Sequence, residues 1–137
     1  MIVNGPAREI AAWMEARLGV KFYPGYSVIA SRNAAGEIEG ALLFHSKTES
    51  DVEISVVADN LPRRLLVAGF RYVVVQLGCR RATFRTRADN QAAIAAMARL
   101  GAREEGRLRK YYPGDVDAVV FGLLKEDYPY GLNSIST

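Results

Sequence analysis

Several side chains in this 137-residue sequence have the types and spacing that chemistry requires. His45 is its one histidine, and imidazole is the only side chain that titrates near neutrality without a shift. Read as a strand, DVEISVVA sets Glu53 and Ser55 on one face with Val57, and Val52, Ile54 and Val56 on the other. In CRRATFRTR, Arg81, Thr83, Arg85 and Arg87 share one face. Unpaired charge on an interior strand is expensive. Either that face is wet and lines a cleft suited to an acidic or phosphate-bearing molecule, or carboxylates such as Glu9 and Glu15 pair with it. Asn90 stands at the mouth of the helix QAAIAAMARL, where it either caps the helix or turns its amide toward a ligand lying alongside. The single Cys79 allows no internal disulfide and reads as a small strand residue, and one histidine makes no metal cluster.

These groups need elements to hold them. Residues 6–19 read as a helix: Pro6 suits a first turn, Ile10, Trp13, Met14 and Leu18 recur at helical spacing as core residues, and Gly19 stops it. A hairpin follows, 27–32 and 38–46, then a strand at 51–58. Residues 61–77 read as a helix on the stripe Leu66, Phe70, Val73, Leu77, with Asn60 as cap and Gly78 as stop, although Val73, Val74 and Val75 favour a strand. Strand 79–87, helix 91–100 and strands 103–112 and 117–124 complete the order α β β β α β α β β, a mixed α/β fold. The helix at 91–100 is nearly all methyl-sized outside its ridge of Ile94 and Met97, which suits either tight packing on a sheet or a groove wall beside a thin ligand.

Composition narrows the class. The chain has 18 Lys and Arg against 15 Asp and Glu, with a pI near 9.2, a mild excess that suits an anionic ligand and is too small to argue nucleic-acid binding by itself. No apolar run is long enough for a membrane span, the start MIVNGPAREI lacks the features of a secretory signal, and a cytoplasmic protein is the expectation. One domain over 1–137 is expected, with the polar tail 129–137 flexible or reaching across to a partner.

The stretch from Asp51 to Tyr128 resembles the Gcn5-related N-acetyltransferase (GNAT) family. The match lies in GCRRATFRTRADNQAAIAAMARLGAREEGRLRKYY and DVDAVVFGLL: strand, Asn, alanine-containing helix, Leu-Gly, xEEGxLR and a last DxVVxxLL strand. It is most similar to the ribosomal-protein and small-amine branch and to compact phage and prophage versions. The resemblance implies an acyl-CoA N-acyltransferase fold, a central mostly antiparallel sheet with one parallel pair, 51–58 and 79–87, that splays apart. Acetyl-CoA would lie in the splay, its pantetheine arm against the backbone of Ser55, Val56 and Val57 and near Asn90. Its pyrophosphate would sit at the turn 59–65. There the family's glycine-rich loop is replaced by ADNLPRRL, so Arg63 and Arg64 either substitute charge for backbone donors or are solvated first-turn residues.

The resemblance further implies direct acetyl transfer to a primary amine in a ternary complex, without a metal. Glu53 is the base expected on this reading, with Ser55 holding a water and His45 either a second base or a hydrogen-bonded strand histidine. The family's tyrosine acid falls at Met97, so Tyr111, or Tyr112, substitutes only if the strand from 103 folds back over the cleft. The acceptor is an amine on a small molecule or a protein; with the front of the chain short, one helix standing for the family's strand and two helices, the acceptor side is either open or completed by a partner subunit in a homodimer. The alternatives are a GNAT-fold binding protein without turnover and a nucleic-acid-associated modifier, suggested by the basic strand 103–112.

Overall fold

The computed structural model describes residues 1–59 and 61–128. Asn60, read above as a helix cap, and the tail 129–137 lie outside the described residues. The chain opens with a two-residue strand β1 (Ile2–Val3) and continues through helix α1 (Ala7–Leu18), strands β2 (Ser27–Arg32), β3 (Ile38–His45) and β4 (Asp51–Ala58), and helix α2 (Arg63–Arg71). Strand β5 (Arg81–Arg87), helix α3 (Gln91–Arg99), and strands β6 (Arg103–Tyr112) and β7 (Val116–Leu124) follow. The seven strands form one sheet in the order β1-β2-β3-β4-β5-β7-β6, and every neighbouring pair is antiparallel except β4 and β5. Among the described residues no helix is long and apolar enough to cross a membrane.

Strand alternation sorts the side chains onto two faces. Leu42 and Phe44 of β3, Val52, Ile54 and Val56 of β4, and Ala82 and Phe84 of β5 meet α2 and α3 in one core. Ala41 and Leu43, with Val28, Ala30, Val57 and Ala118, meet α1 in the other. Helix α1 buries Ile10, Ala11, Met14 and Leu18, the stripe its spacing predicts, while Trp13 is half-buried beneath the Arg17 guanidinium, 3.8 Å from the ring centroid. In α3 the small residues pack on the sheet: Ala93 and Ala96 are buried with Met97 and Leu100.

Three expectations are corrected. The segment read as one helix over 61–77 is α-helical only to Arg71 and then widens into a π-helical turn, Tyr72–Gln76, where Leu77 N–H reaches the Tyr72 carbonyl at 3.0 Å. The widening falls where three β-branched valines in succession crowd the α-helical surface. Strand β1 was not expected; two residues carry no periodicity, and their place is set by pairing with Ser31 and Ala30 of β2. Glu9 and Glu15 do not serve the arginine face of β5. Glu9 pairs with Arg32 at 2.9 Å, and Glu15 takes Arg8 and the Phe22 amide, the latter at 2.7 Å.

Strand β6 is solvated over nearly its whole length, as expected for a charged edge. Its register shifts between Leu108 and Tyr112, and this brings its last two residues over the sheet face.

Phe70 is 1% exposed and stacks on Tyr128 with ring centroids 4.8 Å apart, at the centre of the core beneath α2. Phe70→Ala is expected to lower unfolding free energy by about 3–5 kcal/mol, read from urea denaturation at constant slope.

Candidate functional site

The ladder between β4 and β5 runs from Asp51 opposite Arg81 to Ser55 opposite Arg85 and stops there. Each strand continues on its other side, β4 against β3 to Ala58 and β5 against β7 to Arg87, so the sheet opens between them. At the opening, the Val56 carbonyl meets the hydroxyl of Thr86, which donates to it at 3.2 Å. Strand alternation then turns the main-chain groups of Val56 and Ala58 toward the gap and those of Ser55 and Val57 toward β3. Thr86 is 1% exposed. A buried threonine one residue past the last ladder pair is a signal that needs the register to be visible.

The face opposite α2 and α3 carries the polar groups. Helix α1 covers it over β2, β3 and β4. Beyond the helix a cavity of ≈ 500 Å³ opens, with His45, Ser55, Tyr111 and Tyr112 among its walls and Phe22 and Tyr26 of the α1–β2 connection opposite. Its volume is that of a small-molecule site. Three of the four residues read as catalytic therefore line one cavity, and Tyr112 lines it with them. Glu53 stands behind this wall: it lies opposite His45 in the β3–β4 ladder, with 3.6 Å between His45 Nδ1 and Glu53 Oε2.

Arg85 links the cavity-lining Tyr111 to Glu53. One terminal nitrogen donates to the Tyr111 hydroxyl at 3.0 Å and the other to Glu53 Oε1 at 3.3 Å. Its Nε is buried without a partner among the described residues, as is the Tyr112 hydroxyl. The rest of the arginine face is compensated locally: Arg81 by Asp51 and Glu105, Arg87 by Asp89. It is neither a bare basic cleft nor a set of partners for the first helix.

Burial pushes the His45 imidazole below its ordinary value; Glu53 opposes that shift and Arg85 adds to it. The ring is accordingly neutral at pH 7, with Nδ1 at 3.0 Å from the Ser46 hydroxyl and Nε2 without a partner among the described residues. Burial pushes Tyr112 up to about 12, so its hydroxyl keeps its proton. The Cys79 thiol is buried and shifted upward by desolvation, the opposite of what a nucleophile needs.

At the other end of the opening, α2 starts from Pro62, which offers no side-chain cap. Arg64 reaches back to Glu39 at 3.3 Å and to Ser31 at 3.2 Å. Arg63, Arg64 and Arg71 line a shallow groove along the outer face of α2 with Val67 and Ala68. Asn90 caps α3: its Oδ1 accepts from the Ala93 amide at 3.1 Å, which leaves its Nδ2 without a partner among the described residues.

No protein-family model matches the chain, and no curated protein sequence does. Solved structures match its fold throughout. A mutant form of the spermidine/spermine N-acetyltransferase SpeG from Vibrio cholerae superposes with a TM-score of 0.71 at 11% identity, over 93% of this chain and 96% of that one. A second spermidine N-acetyltransferase SpeG mutant from the same organism gives 0.72 at 13%, over 94% and 95%. A candidate acetyltransferase gives 0.67 at 24%, over 90% of this chain and 70% of that one. The parted parallel pair within a mostly antiparallel sheet flanked by helices is the GNAT fold, and this chain has it.

Substitutions at two positions test the local construction. Thr86→Val removes the donor to Val56 at constant shape and is expected to lower stability by about 1–3 kcal/mol, the cost of an unmade buried hydrogen bond. Asn90→Ala is expected to cost about 1 kcal/mol through loss of the cap, whereas Asn90→Asp keeps the acceptor and most of that stability. Thermal unfolding of the three variants reads both.

Proposed function

We propose that the protein is an N-acetyltransferase that moves the acetyl group of acetyl-CoA to a primary amine. The observation that carries this reading is the opening between β4 and β5 with a titratable, aromatic-walled cavity on the face beside it. The similarity to spermidine N-acetyltransferases supports the same reaction class.

The residues at the opening fit the arm of acetyl-CoA. An extended amide-bearing chain can add to the uncovered edge at Val56 to Ala58 as a further strand does, and Asn90 Nδ2 is a free donor on the far side. The fit at the pyrophosphate end is of another kind than a glycine loop. Arg63 and Arg64 open α2, their main-chain amides lie in the first turn, where anions are favoured, and the side chains bring cations. The acetyl thioester would then lie where the strands part, next to Ser55 and Arg85.

In the transfer, the acceptor arrives as an ammonium and must lose a proton before its nitrogen can attack. His45 is the base in this proposal, in place of the Glu53 that strand position alone favours. It walls the cavity, is neutral, and has Nε2 open, while Glu53 is held by Arg85 and lies against the imidazole, where it stabilises the cation formed. The freed amine attacks the thioester carbon. The C–N bond forms and the C–S bond breaks; the nitrogen gives up its second proton to water, and the thiolate takes up one proton and leaves as the thiol. Tyr111, its hydroxyl oriented by Arg85, is the donor assigned to the thiolate and regains its proton from that water. Ser55 remains as a site for a bridging water. Cys79, buried and protonated, has no part, in keeping with direct transfer.

Calorimetric titration with acetyl-CoA tests the first step. Binding is expected, and Asn90→Asp should weaken it without the loss of stability that confounds Asn90→Ala; a folded protein that does not bind acetyl-CoA refutes the assignment and leaves a binding protein on this fold. His45→Gln is expected to lower kcat by about 10²-fold or more, the usual contribution of a general base, with little change in acetyl-CoA affinity. In the wild type the acid limb of kcat/KM should fall below the ordinary histidine value of about 6.5, because burial depresses His45: the rate rises as pH increases through that value and the ring loses its proton. Retention of that limb in His45→Gln would move the base role elsewhere.

A further inference from the structure

Resting on the acetyl-transfer reading, we infer that the acceptor is a small amine with an aromatic or aliphatic body and an anionic group, in the manner of an apolar amino acid, and not a polyamine. The cavity walls carry the argument. Phe22, Tyr23 and Tyr26 from the α1–β2 connection line the space together with Tyr111 and Tyr112 from β6. Tyr23 is 85% exposed, a large aromatic surface at the rim with nothing packed over it. Such walls gain from burying an apolar body.

The charges point the same way. Among the described residues no aspartate or glutamate lines the cavity, and the one charged wall residue is Lys21. The neighbouring carboxylates are engaged: Glu53 by Arg85, and Glu15 by Arg8 and the Phe22 amide. A polyamine keeps one or more ammonium groups after presenting another for acetylation. Here those groups would meet Lys21 with no unengaged carboxylate in the wall among the described residues, a like-charge arrangement that works against binding.

The unsatisfied donors complete the case. Tyr112, which lines the cavity, is 3% exposed and keeps its proton, and its buried hydroxyl has no acceptor among the described residues. The buried Nε of Arg85 has none among them either. Buried donors without partners are rare and costly in folded proteins. A carboxylate or similar acceptor on the substrate satisfies the Tyr112 hydroxyl and is drawn by Lys21, while the apolar body lies on the aromatic walls and the amine reaches His45.

The test titrates phenylalanine, phenethylamine and spermidine into the protein, with and without coenzyme A, by calorimetry. Phenylalanine is expected to bind most tightly, about tenfold or more ahead of phenethylamine, the scale of one charge-assisted hydrogen bond, and spermidine most weakly. Lys21→Met, a change at an exposed position, and Tyr112→Phe, which removes only a hydroxyl, should each reduce the preference for phenylalanine over phenethylamine. Spermidine binding ahead of phenylalanine overturns the inference, as does equal binding of all three or a preference unmoved in both variants. A separate titration with acetyl-CoA keeps the two claims apart. Phenylalanine binding without acetyl-CoA binding supports the pocket chemistry while removing acetyl transfer.

Discussion

The parallel pairing of β4 with β5 is the constraint from which the rest of the molecule follows. Antiparallel neighbours can be joined by short turns, and most of the sheet is built that way, but a parallel pair needs a crossover lying over one face. Here that crossover is α2 with its π-helical turn, and α3 begins just beyond β5 on the same face, in the same core. Paired strands stand roughly 4.8 Å apart, whereas packed helices need about 8–10 Å. Two helices rising from adjacent strand ends therefore favour ends that part. The parting begins after Ser55 and Arg85, and Thr86 secures it by answering the Val56 carbonyl that the ladder leaves behind. The methyl-sized residues of α3 let that helix sit close on the sheet beside the opening, with Ala93 and Ala96 buried.

The polar face is organised by pairing at short range. Asp51, Glu53, Asp89 and Glu105 each lie within reach of an arginine of β5, so its row of cations raises little net field. Arg85 differs from the others. It is the least exposed of the three, it joins a carboxylate of β4 to a phenol of β6, and one of its donors stays buried and unmatched. Pairing of this kind holds Glu53 and Tyr111 in place on two strands that do not adjoin, the sheet order placing β5 and β7 between β4 and β6.

Much of this was legible before any coordinates. The helical stripe of α1 and the alternation of β4 and β5 assigned faces correctly because an apolar core face set against a more polar one leaves a period that survives in the residue order. The Asn90 amide resisted because a cap and a ligand contact use the same residue at the same place; the geometry shows the cap on Oδ1 and leaves Nδ2 over. Partners distant in sequence were not legible. Nothing in the order of residues says that Arg85 meets Tyr111, or that Thr86 meets Val56, until register and a shifted edge strand bring them together. The π-helical turn lay hidden for a different reason: valine runs argue for strands locally, and only the crossover between parallel strands requires a helix there.

The connection between α1 and β2 shapes the cavity. Its residues Phe22, Tyr23 and Tyr26 line the space together with Tyr111 and Tyr112. Such a connection needs anchoring to act as a wall. Gly19 ends α1 in the left-handed region at φ 73°, with its amide on the Glu15 carbonyl, and turns the chain back along the helix. The Glu15 carboxylate then accepts the Phe22 amide, and that bond is the first cause of the depressed Glu15 ionisation, ahead of Arg8. Phe22 in turn packs edge-on to Tyr26, whose hydroxyl accepts from Arg8. Glu15 thus stays with its own helix and fixes the aromatic wall, instead of crossing to the arginines of β5. This is why the carboxylate inventory of the cavity is so short and why its chemistry favours a substrate that brings its own negative charge.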